Sequence, residues 1–240
     1  MSMEESRVIR DDGLELGEVR VDYRSDGLVE GDCPQAPLAI VLDWVEAAVA
    51  RQAERGDVPE PTSMEVATVD VDGLPDVRTV LMRGIDAQGP QFFTNTDSSK
   101  GRQLRANPMV ASVLTWPAMF RAIRFRGRAE LLTQDEVTTY FRTRPWGSRV
   151  GAHASDQSRP APDRAAIETA YRKWAERYPD TGEPGAVPVP AHWGGYRIVP
   201  DRVELWAGRR SRLHDRIVWE RIRPGGLEDA GAWRRSRLQP

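Results

Sequence analysis

A chain of 240 residues, 40% hydrophobic and 29% charged, is long enough for a substantial core and has the make-up of an ordinary globular protein. Its formal net charge of -2 gives no global pull toward nucleic acid, so any anion site must be local. A single cysteine, Cys33, and three histidines exclude an intrachain disulfide, a multi-cysteine metal cluster and a His-rich zinc site.

Residues 1 to about 36 are polar and without sustained period, and read as an extended, flexible arm, either a disordered tail or a lid over a site. The first twenty residues lack the apolar stretch of a secretory signal, and no apolar run approaches the roughly 20 residues that cross a bilayer. The expectation is a cytoplasmic protein with no membrane or nucleic-acid partner. Pro37 opens a helix whose apolar stripe is Leu38, Val41, Leu42, Val45 and Val49, closed by Gly56.

From Met64 the texture is that of strands. Two alternating runs join at Asp72-Gly73, a strong hairpin signal, and QFFTN follows a turn at Gln88-Gly89-Pro90. SSKGRQLRANP predicts a short helix closed by Asn107-Pro108, and MVASVLTW and FRAIRFRGRAELL predict two further strands parted by Pro117. TQDEVTTYFRTRP predicts a helix broken at Pro145, and residues 163–178 another. After a Pro/Gly linker, WGGYRIVPDRVELWAG returns to strand and the C-terminal stretch adds a closing hairpin. The four or five antiparallel strands before TQDEVTTYFRTRP, joined by short turns, predict a barrel, mainly β with flanking helices (α+β), in which residues 37–240 form one domain.

Three groups of residues carry chemistry. Arg78 and Arg83 flank TVLM at opposite ends of a strand, while Thr94, Ser98, Ser99 and Lys100 gather at the start of a short helix, a suitable cradle for phosphate. Ser98-Ser99 also reads as a plain helix N-cap. Tyr140, Arg144 and Ser148 recur at a spacing of four, which puts the first two on one helical face before Pro145 releases the chain toward Ser148. They suit a second phosphate, or are solvated surface residues. In RLHDR, extended spacing sends Arg212, His214 and Arg216 to one face, where three cations repel unless an anion lies between them. No P-loop, dinucleotide fingerprint, HExxH or nucleophile elbow is present. Two separate anion clusters fit a cofactor held beside a phosphorylated substrate, without naming either.

The stretches EPTSMEVATVDVDGLPDVRTVL, QFFTNTDSSKGRQLRANP, YFRTRPWGSRVGAHASDQS, HWGGYRIVPDRVELWAG, SRLHDR and RLQP resemble the pyridoxine/pyridoxamine 5'-phosphate oxidase family, in family order from about residue 20 to the C-terminus. The resemblance implies an FMN-binding split β-barrel and a homodimer with FMN at the subunit interface. It also implies oxidation of pyridoxamine or pyridoxine 5'-phosphate to pyridoxal 5'-phosphate, with O2 reduced to hydrogen peroxide. By motif position it implies FMN contacts at Arg78, Arg83, Phe93, Thr94, Ser99, Lys100, Gln157, Ser158, Trp206 and Arg216. Substrate contacts are implied at Arg20, Tyr23, Arg83, Tyr140, Arg144, Ser148, Arg212 and His214, with Arg212 and His214 orienting the ring at the reaction centre.

Four positions depart from the family pattern. Arg83 stands where the family usually has Lys, Ser99 where an arginine commonly precedes Lys100, Ala122 where the RQVR-type motif has glutamine, and Ala207 in place of the glutamine of WQG. These departures keep two alternatives open: a flavin oxidase of the same fold acting on a secondary metabolite, and a non-catalytic module that binds FMN or pyridoxal phosphate.

Overall fold

The computed structural model describes residues 21–240. Arg20, one of the implied substrate contacts, lies outside the described residues. Helix α1 (Leu38–Arg55) begins after Pro37 and ends at Gly56, whose left-handed φ of 69° suits glycine. Its buried face is Ile40, Val41, Trp44 and Ala48. The apolar stripe predicted from sequence is therefore rotated, and Val49 is 46% exposed. Trp44, the bulkiest apolar side chain on the helix, takes the core position and turns Ile40 and Ala48 inward at i±4.

Nine antiparallel strands form one sheet, which curls into a half-barrel flanked by helices. They are β1 (Ser63–Val69), β2 (Pro75–Leu81), β3 (Gly84–Asp86), β4 (Gly89–Asn95), β5 (Met109–Trp116), β6 (Arg121–Leu131), β7 (Trp193–Ala207), β8 (Asp215–Arg221) and β9 (Trp233–Arg237). The order runs β2-β1-β5-β6-β7-β4-β3, with β8 also on β7 and β9 on β8. The β1–β2 hairpin turns through Asp72-Gly73 as expected. Gly89 and Pro90, expected in a turn, are strand residues paired with Asp86 and Ile85.

Strand β7 organises the sheet. One edge pairs with β6 from Tyr196 to Ala207; the other pairs with β4 over residues 193–197 and with β8 over 202–207. The β6–β7 register slips between Arg126 and Gly127. At Gly127 a Cβ would lie 2.1 Å from the Val199 carbonyl oxygen, so the close approach at this bend requires glycine. The inward faces of the strands and α1 enclose one core, with Trp116, Phe125, Leu205, Trp219 and Trp233 almost wholly buried. Each such side chain contributes roughly 1.5–3 kcal/mol.

Helices α2 (Ser99–Ala106), α3 (Gln134–Thr143), α4 (Trp146–Ala154) and α5 (Arg164–Arg177) lie outside the sheet. Thr133 and Glu136 cap α3 reciprocally, and Glu136 also receives Arg197 of β7 at 2.9 Å, which fixes α3 on the sheet. Pro145 stops α3, but the chain turns at once into α4 rather than into a loop. A smaller cluster of Phe141, Val150, Ala152 and Val187 packs this helical layer.

Candidate active site

Strand β4, α2, α3 and α4 converge on a cavity of about 420 Å³. Among the predicted residues Arg83, Phe93, Thr94, Lys100, Tyr140, Arg144, Ser148 and Gln157 line it. Three cations face this cavity, and no carboxylate is among its lining side chains.

Lys100 is buried at the start of α2, where Ser98 caps the helix by accepting from the Gly101 N–H. Its Nζ donates to Thr94 Oγ1 at 3.2 Å, Gln157 Oε1 at 3.2 Å and Ser98 Oγ at 3.4 Å. All three acceptors are neutral. Burial, reinforced by the Arg78 charge, pushes the ammonium from its ordinary 10.5 down to about 8. Ser98 occupies the position at the lysine, whereas Ser99 accepts from Arg102 at 3.2 Å and does not line the cavity. Arg78 lies just behind it, held by Thr68 at 2.6 Å and by Asp76 at 2.5 Å. Arg83 sits beyond the end of β2 rather than on it, exposed at the cavity rim.

At the other end of the cavity, Phe93 and Tyr140 stack with ring centres 3.8 Å apart, tying β4 to α3. Arg144 ends α3 in an extended conformation, so it does not share a helical face with Tyr140; Ser148 arrives from α4. The turn at Pro145 gathers all three. Burial lowers the Arg144 pKa, and the charge of Arg83 acts in the same direction. Two buried donors here, Arg144 Nη1 and Trp193 Nε1, have no hydrogen-bond partner. Orphan donors at one end and an ammonium with only neutral acceptors at the other suit a ligand with anionic or carbonyl oxygens at both ends. An elongated cofactor phosphate with a phosphorylated ring beside it has that character, and FMN fits this donor set. Trp193 was not among the predicted site residues; it opens β7 opposite Asn95, a pairing that the sequence does not announce.

Tyr23, Trp206, His214 and Arg216 form a second group at the far end of β7. Tyr23 packs edge-on against Phe120, Trp206 and His214, with ring centres 5.2, 5.8 and 5.4 Å away. Trp206 lies opposite Ala122 on β6 and Arg216 on β8, so the three share one row of the sheet. His214 Nδ1 accepts from the Arg209 N–H at 3.0 Å, which leaves Nε2 as the protonated nitrogen of the neutral ring.

The expectation that Arg212, His214 and Arg216 share a strand face does not hold. Arg212 lies in a short 3-10 turn with a φ of 61°, His214 precedes the strand, and only Arg216 is on β8. The mutual repulsion inferred from extended spacing is absent too, because Glu204 receives Arg216 at 2.7 Å. Glu204 was missed in the sequence, where its signal was a carboxylate inside the apolar run VELW. Ser158 is exposed, with a φ of 70°, next to Gln157.

Residues 50–178 match the family model described as pyridoxamine 5'-phosphate oxidase, and residues 193–240 match the pyridoxine 5'-phosphate oxidase C-terminal dimerisation region. A pyridoxine/pyridoxamine 5'-phosphate oxidase of Pseudomonas syringae pv. tomato is 45% identical over 225 residues, covering 94% of this chain and 98% of that protein. The chain belongs to the pyridoxine/pyridoxamine 5'-phosphate oxidase family. A Synechocystis protein of the same name is 39% identical over 95% of this chain and all of its own length. Among solved structures, PhzG from Burkholderia lata in complex with tetrahydrophenazine-1-carboxylic acid superposes with a TM-score of 0.76 at 29% identity, covering 90% of this chain and 99% of that one. An FMN-binding protein related to pyridoxamine 5'-phosphate oxidase from Nostoc punctiforme shares the fold, with a TM-score of 0.62 at 18% identity over 82% of this chain and 97% of that one. The oxidase family's dimerisation region covers β7 to β9, the strands that carry Trp206, His214 and Arg216. No helix among the described residues is long and apolar enough to cross a membrane.

Proposed function

We propose that this protein is an FMN-dependent oxidase that converts pyridoxamine or pyridoxine 5'-phosphate to pyridoxal 5'-phosphate and reduces O2 to hydrogen peroxide. The observation that carries the reading is the cavity that presents Arg83, Lys100 and Arg144 with no facing carboxylate, in a chain of this family. Lys100, Thr94 and Gln157, backed by Arg78, would hold the cofactor phosphate, while Tyr140, Arg144 and Ser148 would hold that of the substrate. FMN, when bound, supplies the two-electron acceptor that O2 reoxidises. The protein's part is placement: two reactants held in attack geometry lose as much as about 7–11 kcal/mol of barrier. The His214 Nε2–H and Arg212 would orient the substrate ring, and Tyr23 would exclude water above it.

The active site is read as shared between two copies. The lysine cavity lies at the start of β7 and the Tyr23–Trp206–His214 group at its end. Those ends are separated by a strand contour of about 43 Å at 3.3 Å per residue. The dimerisation match over the strands of the second group supports a partner that brings it to the first.

A second reading, an oxidase of the same fold acting on another substrate, draws on the likeness to PhzG, whose ligand carries a carboxylate. The paired cationic ends of the cavity and the 45% identical relative favour the phosphorylated substrate. The test is to purify the protein, record its flavin spectrum, and follow oxygen consumption with pyridoxamine phosphate. A yellow protein that makes pyridoxal phosphate and peroxide in equal amounts is expected. Full oxidase activity without flavin, or bound flavin that no B6 vitamer reduces, would overturn the assignment.

A further inference from the structure

Glu204 meets the site described so far only through Arg216, and it is only 3% exposed near the C-terminal end of β7, where the strand is paired on both edges. A carboxylate at such a position persists only when opposite charge compensates it. Arg216, diagonal to it on β8, places both Nε and Nη2 on the single oxygen Oε1, at 2.8 and 2.7 Å. Arg124, directly opposite on β6, and Arg202 approach Oε2 at 3.5 and 3.6 Å. The other edge of the Arg216 guanidinium is held as well: Nη1 donates to the Gln239 carbonyl at 3.2 Å, and the Leu238 N–H bonds the Arg216 carbonyl at 2.9 Å. Arg216 is thus gripped on both edges beside its register neighbour Trp206, with a cavity of about 300 Å³ opening alongside.

We propose that Glu204 is a positioning residue, whose carboxylate fixes the Arg216 guanidinium so that it meets the flavin in a preset orientation. The inference rests on the FMN reading above. An arginine free in solvent loses rotamer freedom when it engages a ligand, whereas one already clamped does not. The planar fork makes orientation matter more than it would for an ammonium. Arg124 and Arg202 approach the other oxygen, Oε2, at 3.5 and 3.6 Å, so Oε1 is left to Arg216.

The experiment is fluorescence titration of the apoprotein with FMN, for the wild type, Glu204→Gln, Arg216→Ala and the double variant. Glu204→Gln should weaken FMN by about tenfold, as expected when a charge-assisted hydrogen bond is lost. The double variant should bind no more weakly than Arg216→Ala alone, because a positioning residue has nothing left to position. A general loss of fold would instead multiply the two losses, and that result overturns the proposal. So does unchanged or tighter binding by Glu204→Gln. If that variant does not fold, Glu204→Asp keeps the charge and shortens the reach; FMN binding equal to wild type in Glu204→Asp overturns the proposal equally. Wild-type protein that takes up no FMN would overturn the flavin reading and this inference with it, whereas normal wild-type uptake with independent variants overturns this inference alone.

Discussion

The Arg144 guanidinium lies 4.2 Å from the centre of the Trp193 ring, and its Nη1 is buried without a partner. The indole face stabilises the cation from one side, and Nη1 is left unpaired on a residue that lines the cavity. A group in that state gains when an anionic oxygen arrives, since its desolvation has already been met in folding.

Arg144→Ala should therefore raise the KM for pyridoxamine phosphate by roughly 10- to 100-fold, the equivalent of about 1.5–3 kcal/mol for a charged hydrogen bond. FMN affinity should change by less than about threefold, because the lysine end of the cavity is a separate cluster. Steady-state kinetics and FMN titration on the same preparation give both numbers. Equal losses for the two ligands would mean that the division into two phosphate ends is wrong.

Lys100 makes FMN affinity depend on pH in a stated direction. Its pKa of about 8 in the protein alone means that the ammonium discharges above that value. A phosphate, already a dianion there, holds the proton on the lysine in the complex. Affinity should be level near neutral pH and fall toward tenfold per pH unit above about 8. The same depressed pKa has a consequence for stability: between about 8 and 10.5 the unfolded chain binds more protons than the folded one, so the lysine's contribution rises with pH. Titrations with FMN and with riboflavin, which lacks the phosphate, separate the effects. Identical pH profiles for the two would place the lysine away from the phosphate.

Ala122 tests the other end of the flavin. It sits directly across from Trp206, in the row that continues to Arg216. Ala122→Gln would add an amide to that row, and FMN should bind about two- to tenfold more tightly for one added hydrogen bond. Unchanged affinity would show that water or another side chain already meets the ring there.

Much of the fold was legible because its signals are local. Asp72-Gly73 makes its hairpin with Gly73 at a φ of 85°, and Ser98 caps α2. Pro37 and Gly56 bound α1. What the sequence withheld is non-local. Nothing in WGGYRIVPDRVELWAG announces that its first half pairs with β4 and its second with β8. That partition decides which site residues meet. The RLHDR stretch departs from extended spacing for a local reason: Ser211 and Arg212 both take left-handed φ values, 59° and 61°. Arg144 was placed on a helix that Pro145 ends at Thr143. The eight predicted residues that share the cavity come from β4, α2, α3, α4 and the segments beside them; six were marked by residue type, while Phe93 and Gln157 were implied only by the family resemblance.

The division of the site along β7 makes the last prediction a matter of stoichiometry. If Arg144 of one chain and His214 of another build each active site, Arg144→Ala and His214→Ala are defective for different halves. Each homodimer of a single variant should be strongly impaired. Co-expressed with different tags and allowed to pair at random, half of the dimers are mixed, and each mixed dimer carries one site with both residues intact. Activity should then recover to about a quarter of wild type per dimer in the pooled protein and about half in dimers purified through both tags. The doubled recovery on double-tag purification is the diagnostic figure, because it follows from geometry and not from the residual activity of either variant. Mixed dimers no more active than their parents would mean that the lysine cavity and the His214 group work within one chain, and the contour of β7 would then have to be bridged by a rearrangement of the 209–214 turn.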